Sequence, residues 1–160
     1  MRILGIDPGS RITGYGIVEK SRHGLTGGDY GEIKPPRNAS LATALVYVYE
    51  SLTGLIAALQ PNAVAIEDIF YGKNVQSLIK QGHVRGVAIL AGARRDVLVY
   101  EYSPLEVKKA VVGYGRAEKS QVQTMIKAIL NLSESPPPDA ADALAVAVCH
   151  AHSTPAVVAS

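Results

Sequence analysis

Four acids in this chain stand where carboxylate chemistry could be assembled: Asp7, Glu67, Asp139 and Asp142. Asp7 closes the apolar run Ile3-Leu4-Gly5-Ile6, and Pro8-Gly9-Ser10 is strong turn chemistry directly after it. Glu67 closes a second apolar run, Ala63-Val64-Ala65-Ile66, of the kind that forms buried central strands. Asp139 and Asp142 are three residues apart, so on a helix they project from one face. Pro136-Pro137-Pro138 fixes the start of that helix and puts Asp139 near the favourable end of its dipole. Such oxygen donors suit Mg²⁺, which keeps several waters and shares its shell with substrate phosphates. Two ions about 4 Å apart can activate a water and stabilise the leaving oxygen of a phosphodiester.

Taken singly, each acid has a plainer use: Asp7 can serve its turn, Asp139 can cap its helix, and Asp142 can be solvated. Their joint occurrence, two at strand ends and two after a stiff loop, is what points to a metal. A structural zinc site is not expected, because His23 and His83 are scattered while His150 and His152 lie two apart and share no helix face. The histidines read as surface or packing residues. The single Cys149 excludes an internal disulfide framework, reads as a small apolar residue of the last helix, and makes a reducing, intracellular setting the default.

The elements that must hold these acids follow from periodicity. Strands are expected over Ile3–Asp7, Ile12–Val18 and Leu25–Ile33, an antiparallel meander. Leu41, Leu45, Val48, Leu52, Leu55 and Leu59 form a helical stripe ended by Pro61. After the strand ending at Glu67 and Asp68, a helix is expected from about 74 to 94. Its Gly82 and Gly86 fall on one face, suited equally to close packing on the chain's own sheet and to a helix-to-helix dimer contact. Val97–Tyr102 is a further strand, and Ser103-Pro104-Leu105-Glu106 carries a cap serine, an N1 proline and an N3 glutamate. Helices are also expected over Glu118–Leu130 and Asp139–His150, followed by a frayed tail around Pro155. This order implies a mixed α/β sheet, three antiparallel strands and then parallel ones, with its central strands covered on both faces.

The residues Gly5-Ile6-Asp7-Pro8-Gly9-Ser10-Arg11 with Thr13-Gly14-Tyr15-Gly16 resemble the opening of the RuvC family of Holliday-junction resolvases. Further blocks match in order: Ala65 to Phe70 with Lys73-Asn74, Gln81-Gly82 to Arg85-Gly86, Val107-Lys108 to Val112-Gly113, Ala117 to Gln121, and Asp139 to Ala143. The resemblance covers about residues 2 to 150. It implies a ribonuclease H-like five-stranded sheet, a homodimer, and paired, symmetric nicks in four-way junction DNA that depend on Mg²⁺, two ions per site with Mn²⁺ able to substitute. It puts the family's acids on Asp7, Glu67, Asp139 and Asp142, as metal ligands and catalytic residues. Phe70 is implied to enter the junction and stack on bases, and Lys73, Asn74, Lys108, Arg116 and Lys119 to bind DNA. A branch-migration motor built of RuvA and RuvB is the implied partner.

Length and composition fit these expectations. At 160 residues, 48% hydrophobic and 19% charged, the chain suits one domain, expected over 1–152 with a flexible tail over 153–160. The net charge of +2 neither demands nor excludes a nucleic-acid partner. No signal-peptide pattern is read at the N-terminus and no run approaching a bilayer span, so a soluble, cytoplasmic protein is expected. Two rival functions carry distinct requirements. The Asp-Pro-Gly-Ser turn also opens the actin-like ATPase fold, which needs two lobes, whereas this length accommodates one. A non-catalytic junction binder would not need all four acids.

Overall fold

The computed structural model describes residues 1–69, 71–72 and 74–155; Phe70 and Lys73, both expected to meet DNA, lie outside the described residues, as does 156–160. The elements are β1 (Arg2–Asp7), β2 (Thr13–Ser21), β3 (Gly24–Ile33), α1 (Leu41–Leu59), β4 (Ala63–Glu67), α2 (Val75–Ala93), β5 (Leu98–Tyr102), α3 (Pro104–Val112), α4 (Lys119–Ile129) and α5 (Pro138–Ser153). The strands form one sheet in the order β3-β2-β1-β4-β5. β1, β2 and β3 pair antiparallel, whereas β4 pairs parallel with both β1 and β5. This is the ribonuclease H-like arrangement. β2 runs past the expected Val18 because Glu19, Lys20 and Ser21 continue the ladder opposite Thr26, Leu25 and Gly24.

Strand parity separates two apolar layers. Leu4 and Ile6 of β1 and Val64 and Ile66 of β4 face α1 and α2, where they meet Val48, Leu52, Ile56, Val84 and Ala88. Ile3 and Ala65 face the other way, into the layer that α3, α4 and α5 share. α5 is enclosed on all sides: every residue from Ala143 to Ala151 is buried. An element so covered needs small side chains, and α5 supplies alanine at Ala140, Ala141, Ala143, Ala145, Ala147 and Ala151.

α1 corrects one expectation. An 18-residue stretch of this 19-residue helix has a mean hydropathy of 1.5, so by length and composition it could cross a membrane, and a run of that kind is present after all. In the fold its Val48, Leu52 and Ile56 are spent on the sheet. It ends at Gln60, which takes a left-handed conformation and donates its N–H to the Ile56 carbonyl at 3.0 Å.

The Gly82/Gly86 face of α2 is likewise resolved on one side. Among the described residues, a β-carbon at Gly86 would meet no neighbour and one at Gly82 would only touch Ile69 at 3.5 Å, so these glycines do not serve close packing on the chain's own sheet. That packing is made by Ala88, Ala91 and Gly92, where a β-carbon on Gly92 would crowd Val99 at 2.8 Å.

Candidate metal centre

The acids are brought together by period-two geometry in the strands and by glycines in the floor. Ile3, Gly5 and Asp7 alternate onto the α5 side of β1, and Ala65 and Glu67 onto the same side of β4. Because Ile6 pairs with Ile66, Asp7 and Glu67 leave the parallel pair side by side at its carboxyl end. Such strand ends are the usual ligand position in sheets of this kind.

α5 then lies against β1 and β2 almost backbone to backbone. A β-carbon at Gly5 would overlap the Ala143 carbonyl, one at Gly14 the Asp139 carbonyl, and one at Gly16 the Leu144 side chain. Gly14 is the cross-strand neighbour of Asp7, and Gly5 of Gly16. These missing side chains let the first turns of α5 reach the sheet, which delivers Asp139 and Asp142 to Asp7. At the other end of α5, Lys20 Nζ donates to the carbonyls of Ala151 (2.5 Å) and Thr154 (2.6 Å), meeting the negative end of the helix with a cation.

One carboxylate oxygen from each of Asp7, Asp139 and Asp142 lies within 4.8 Å of the other two, the spacing of a shared cation. Glu67 stands beside this trio across the cleft. The electrostatics are those of a site short of positive charge. Burial, then Glu67, Asp142 and Asp139, push the Asp7 carboxyl up to about 8, against a partial offset from Lys119. Burial and then Asp142 push Glu67 up to about 7, with Lys108 and Lys119 opposing. Burial also raises Asp142, although Lys119 donates to its Oδ2 at 2.9 Å. That hydrogen bond is the main reason the Lys119 ammonium is raised in turn.

A cleft of about 260 Å³ opens in front of the acids and is lined by Glu67, Asp142, Lys108 and Lys119 among others. Lys108 is set by the capping box of α3, in which Ser103 accepts from Glu106 N–H at 3.2 Å while Glu106 accepts from Ser103 N–H at 2.7 Å. Lys119 is the first residue of α4. The other sequence candidates fall elsewhere. Asn74 caps α2, its side-chain oxygen accepting from Ser77 N–H at 3.2 Å. Arg116 is exposed on the turn between α3 and α4. Asp68, next to Glu67, also lines the cleft but pairs with Arg85, which Glu101 shares, tying α2 to the ends of β4 and β5. His150 is a packing residue, buried and joined at Nδ1 to the Tyr102 hydroxyl at 2.7 Å.

Residues 3–150 match the family model described as crossover junction endodeoxyribonuclease RuvC. The chain belongs to the RuvC family. A RuvC from Syntrophotalea carbinolica is 55% identical over 152 residues, which cover 95% of this chain and 94% of that relative. Among solved structures, Thermus thermophilus RuvC is similar at a TM-score of 0.85 and 32% identity, covering 94% of this chain and 93% of that one. T. thermophilus RuvC in complex with a Holliday junction substrate is similar at a TM-score of 0.87, with the same identity and coverage. Family membership over nearly the whole chain also disposes of the actin-like ATPase reading. Of the features that make the RuvC site, Gly5, Gly14 and Gly16 are the ones that sequence reasoning passed over as functional. The available signal was parity, since Gly5 occupies the strand position between Ile3 and Asp7 on the acid face.

Proposed function

We propose that this chain is a structure-selective endonuclease that resolves four-way DNA junctions by paired, symmetric phosphodiester hydrolysis in recombination and repair, leaving 5′-phosphate and 3′-hydroxyl ends. The observation that carries the reading is the convergence of Asp7, Asp139 and Asp142, with Glu67 alongside, in a chain of the RuvC family. The donor set fits a hard divalent cation: all ligands are carboxylate oxygens, and the raised pKa values of Asp7, Glu67 and Asp142 mark charge that awaits neutralisation. Asp7, Glu67, Asp139 and Asp142 would hold two Mg²⁺, or Mn²⁺ in their place. Such ions supply an activated water and stabilise the leaving oxygen.

The chain's own side chains perform the rest. Lys119 exchanges its hold on Asp142 for a phosphate of the scissile strand, and Lys108 meets the same backbone from α3; both act as point charges that read no sequence. Phe70 stacks on a base at the crossover, and Lys73, Asn74 and Arg116 contact the arms. Two symmetric nicks call for two copies of the site. The open Gly86 and the exposed Val75, Ile79 and Leu90 support a contact between copies through α2. A cytoplasmic setting and a motor of RuvA and RuvB complete the reading, both resting on the family resemblance. The domain over 1–152, with a tail over 153–160, belongs to the same proposal.

The test is incubation of a synthetic four-way junction with the protein and Mg²⁺. Linear, nicked products in symmetric pairs are expected, and Asp7→Asn should bind the junction without cutting it. A junction left intact by the unaltered chain would remove the enzymatic reading.

A further inference from the structure

On the face of the sheet opposite the acids, Arg11, Lys34, Arg37 and Lys80 line one open groove of about 750 Å³, and no acid among the described residues lines it. The cations come from three separate segments: the turn that follows β1, the connection from β3 to α1, and α2. Lys34 shares its charge with Glu32 at 2.9 Å, whereas Arg11, Arg37 and Lys80 have no acidic partner among the described residues. All four are exposed. A concavity lined by one sign of charge focuses a positive potential that draws in an anion. The groove also takes in Ala39, at the N-terminus of the 19-residue α1, whose first turn carries no acid to cancel its dipole.

Position indicates which anion. The groove begins at Ser10, three residues beyond Asp7, so it opens at the same end of β1 as the metal centre and continues around the sheet end onto the α1 and α2 side. A strand cut at Asp7 has to continue somewhere as duplex. Cations spread over three segments suit a run of phosphates better than a single one.

We propose that the groove lined by Arg11, Lys34, Arg37 and Lys80 holds the phosphodiester backbone of a DNA arm leaving the cleavage site, as a sequence-independent second contact. The proposal builds on the nuclease reading above, yet it is about duplex backbone and can be tested apart from cutting.

The experiment compares the unaltered chain, the double variant R37Q/K80Q and the charge-conserving R37K/K80R in binding to a four-way junction and to a linear duplex, from 50 to 200 mM salt. Each phosphate contact contributes about 0.9 to the slope of log affinity on log salt, so loss of two lowers the slope by about 1.8, and affinity falls about 12-fold less across that range. R37K/K80R should keep the original slope. Cleavage at saturating protein should stay within about threefold for both variants, because neither residue is at the cleft. A junction whose arms are shortened to a few base pairs should bind all three proteins alike. An unchanged slope in a folded R37Q/K80Q, checked by its thermal midpoint, would overturn the proposal. So would a site saturated by millimolar inorganic phosphate with no loss of duplex binding, which would make it a small-anion pocket. If the unaltered chain fails to cut junctions but R37Q/K80Q still loses slope on duplex, the groove stands and the nuclease reading falls.

Discussion

Replacing Asp7 by asparagine should stabilise the metal-free protein while abolishing cleavage. The Asp7 carboxyl ionises at about 8 in the folded chain against 3.8 for the ordinary group. Its folded-state pKa is therefore raised. Below 3.8 the group is protonated in both states and costs nothing; as pH climbs from 3.8 to about 8 the fold holds on to a proton that the unfolded chain has lost, and stability drains away until it levels off above 8. At about 1.4 kcal/mol per pH unit, that span sets a ceiling of about 6 kcal/mol. Asparagine keeps the shape and removes the charge, but its buried amide returns about 1–3 kcal/mol of that through lost hydration. A net gain of at most about 3–5 kcal/mol at pH 8 follows, or about 6–20 °C in thermal midpoint for a chain of this size. The assay is thermal unfolding of both proteins in chelator at pH 4, 6 and 8, repeated with excess Mg²⁺. The gain should vanish at pH 4, grow through pH 6 and peak at pH 8. With Mg²⁺ the order should narrow or reverse, because the ion binds the folded wild type and leaves the variant with a weakened site. A variant less stable than wild type at pH 8 in chelator, or a difference independent of pH, would refute the reasoning.

Gly14→Ala should lose cleavage by about 100-fold or more, since its β-carbon overlaps the Asp139 carbonyl and forces α5 off the sheet by about 1 Å, more than the metal geometry tolerates; activity within a few-fold of wild type in a junction assay would contradict this. The same change should lower stability by about 1–3 kcal/mol, read by denaturant unfolding. Lys119→Ala should reduce single-turnover cleavage at least tenfold but shift stability by less than about 1 kcal/mol, because the Lys119 side chain is 61% exposed. Tyr102→Phe strips the buried His150 Nδ1 of its partner, so a loss of about 1–3 kcal/mol is expected with cleavage per folded molecule retained; an unchanged thermal midpoint would argue against the pairing.

The acids were legible because each strand signals its own end. Asp7 and Glu67 are the first charges after unbroken apolar runs, and alternation along β1 and β4 then settles which face they share. The sheet order was legible in outline for a similar reason, since short polar connections join β1, β2 and β3 while helices separate β4 and β5. Other features depended on partners distant in sequence. Nothing local to Gly14 says that a helix 125 residues later will press a carbonyl against it. The Lys119 contact with Asp142 depends on how α4 lies against α5, and the separate duty of Asp68 depends on Arg85 from another helix. α1 shows the opposite problem. Its stripe was evident, but a stripe on so apolar a helix also satisfies the requirements of a membrane span, and only packing distinguishes the two.

The glycine floor under α5 has a consequence for how such a nuclease can change over time. Lysines around the cleft can drift, trade places or be replaced by other cations, because a phosphate accepts charge from many directions. Gly5 and Gly14 have no such latitude: every other residue adds an atom where a backbone carbonyl already sits. In an exhaustive substitution screen scored by junction cutting, these two positions should tolerate as few replacements as the acids themselves. The least replaceable parts of the site would then include two residues with no side chain to offer.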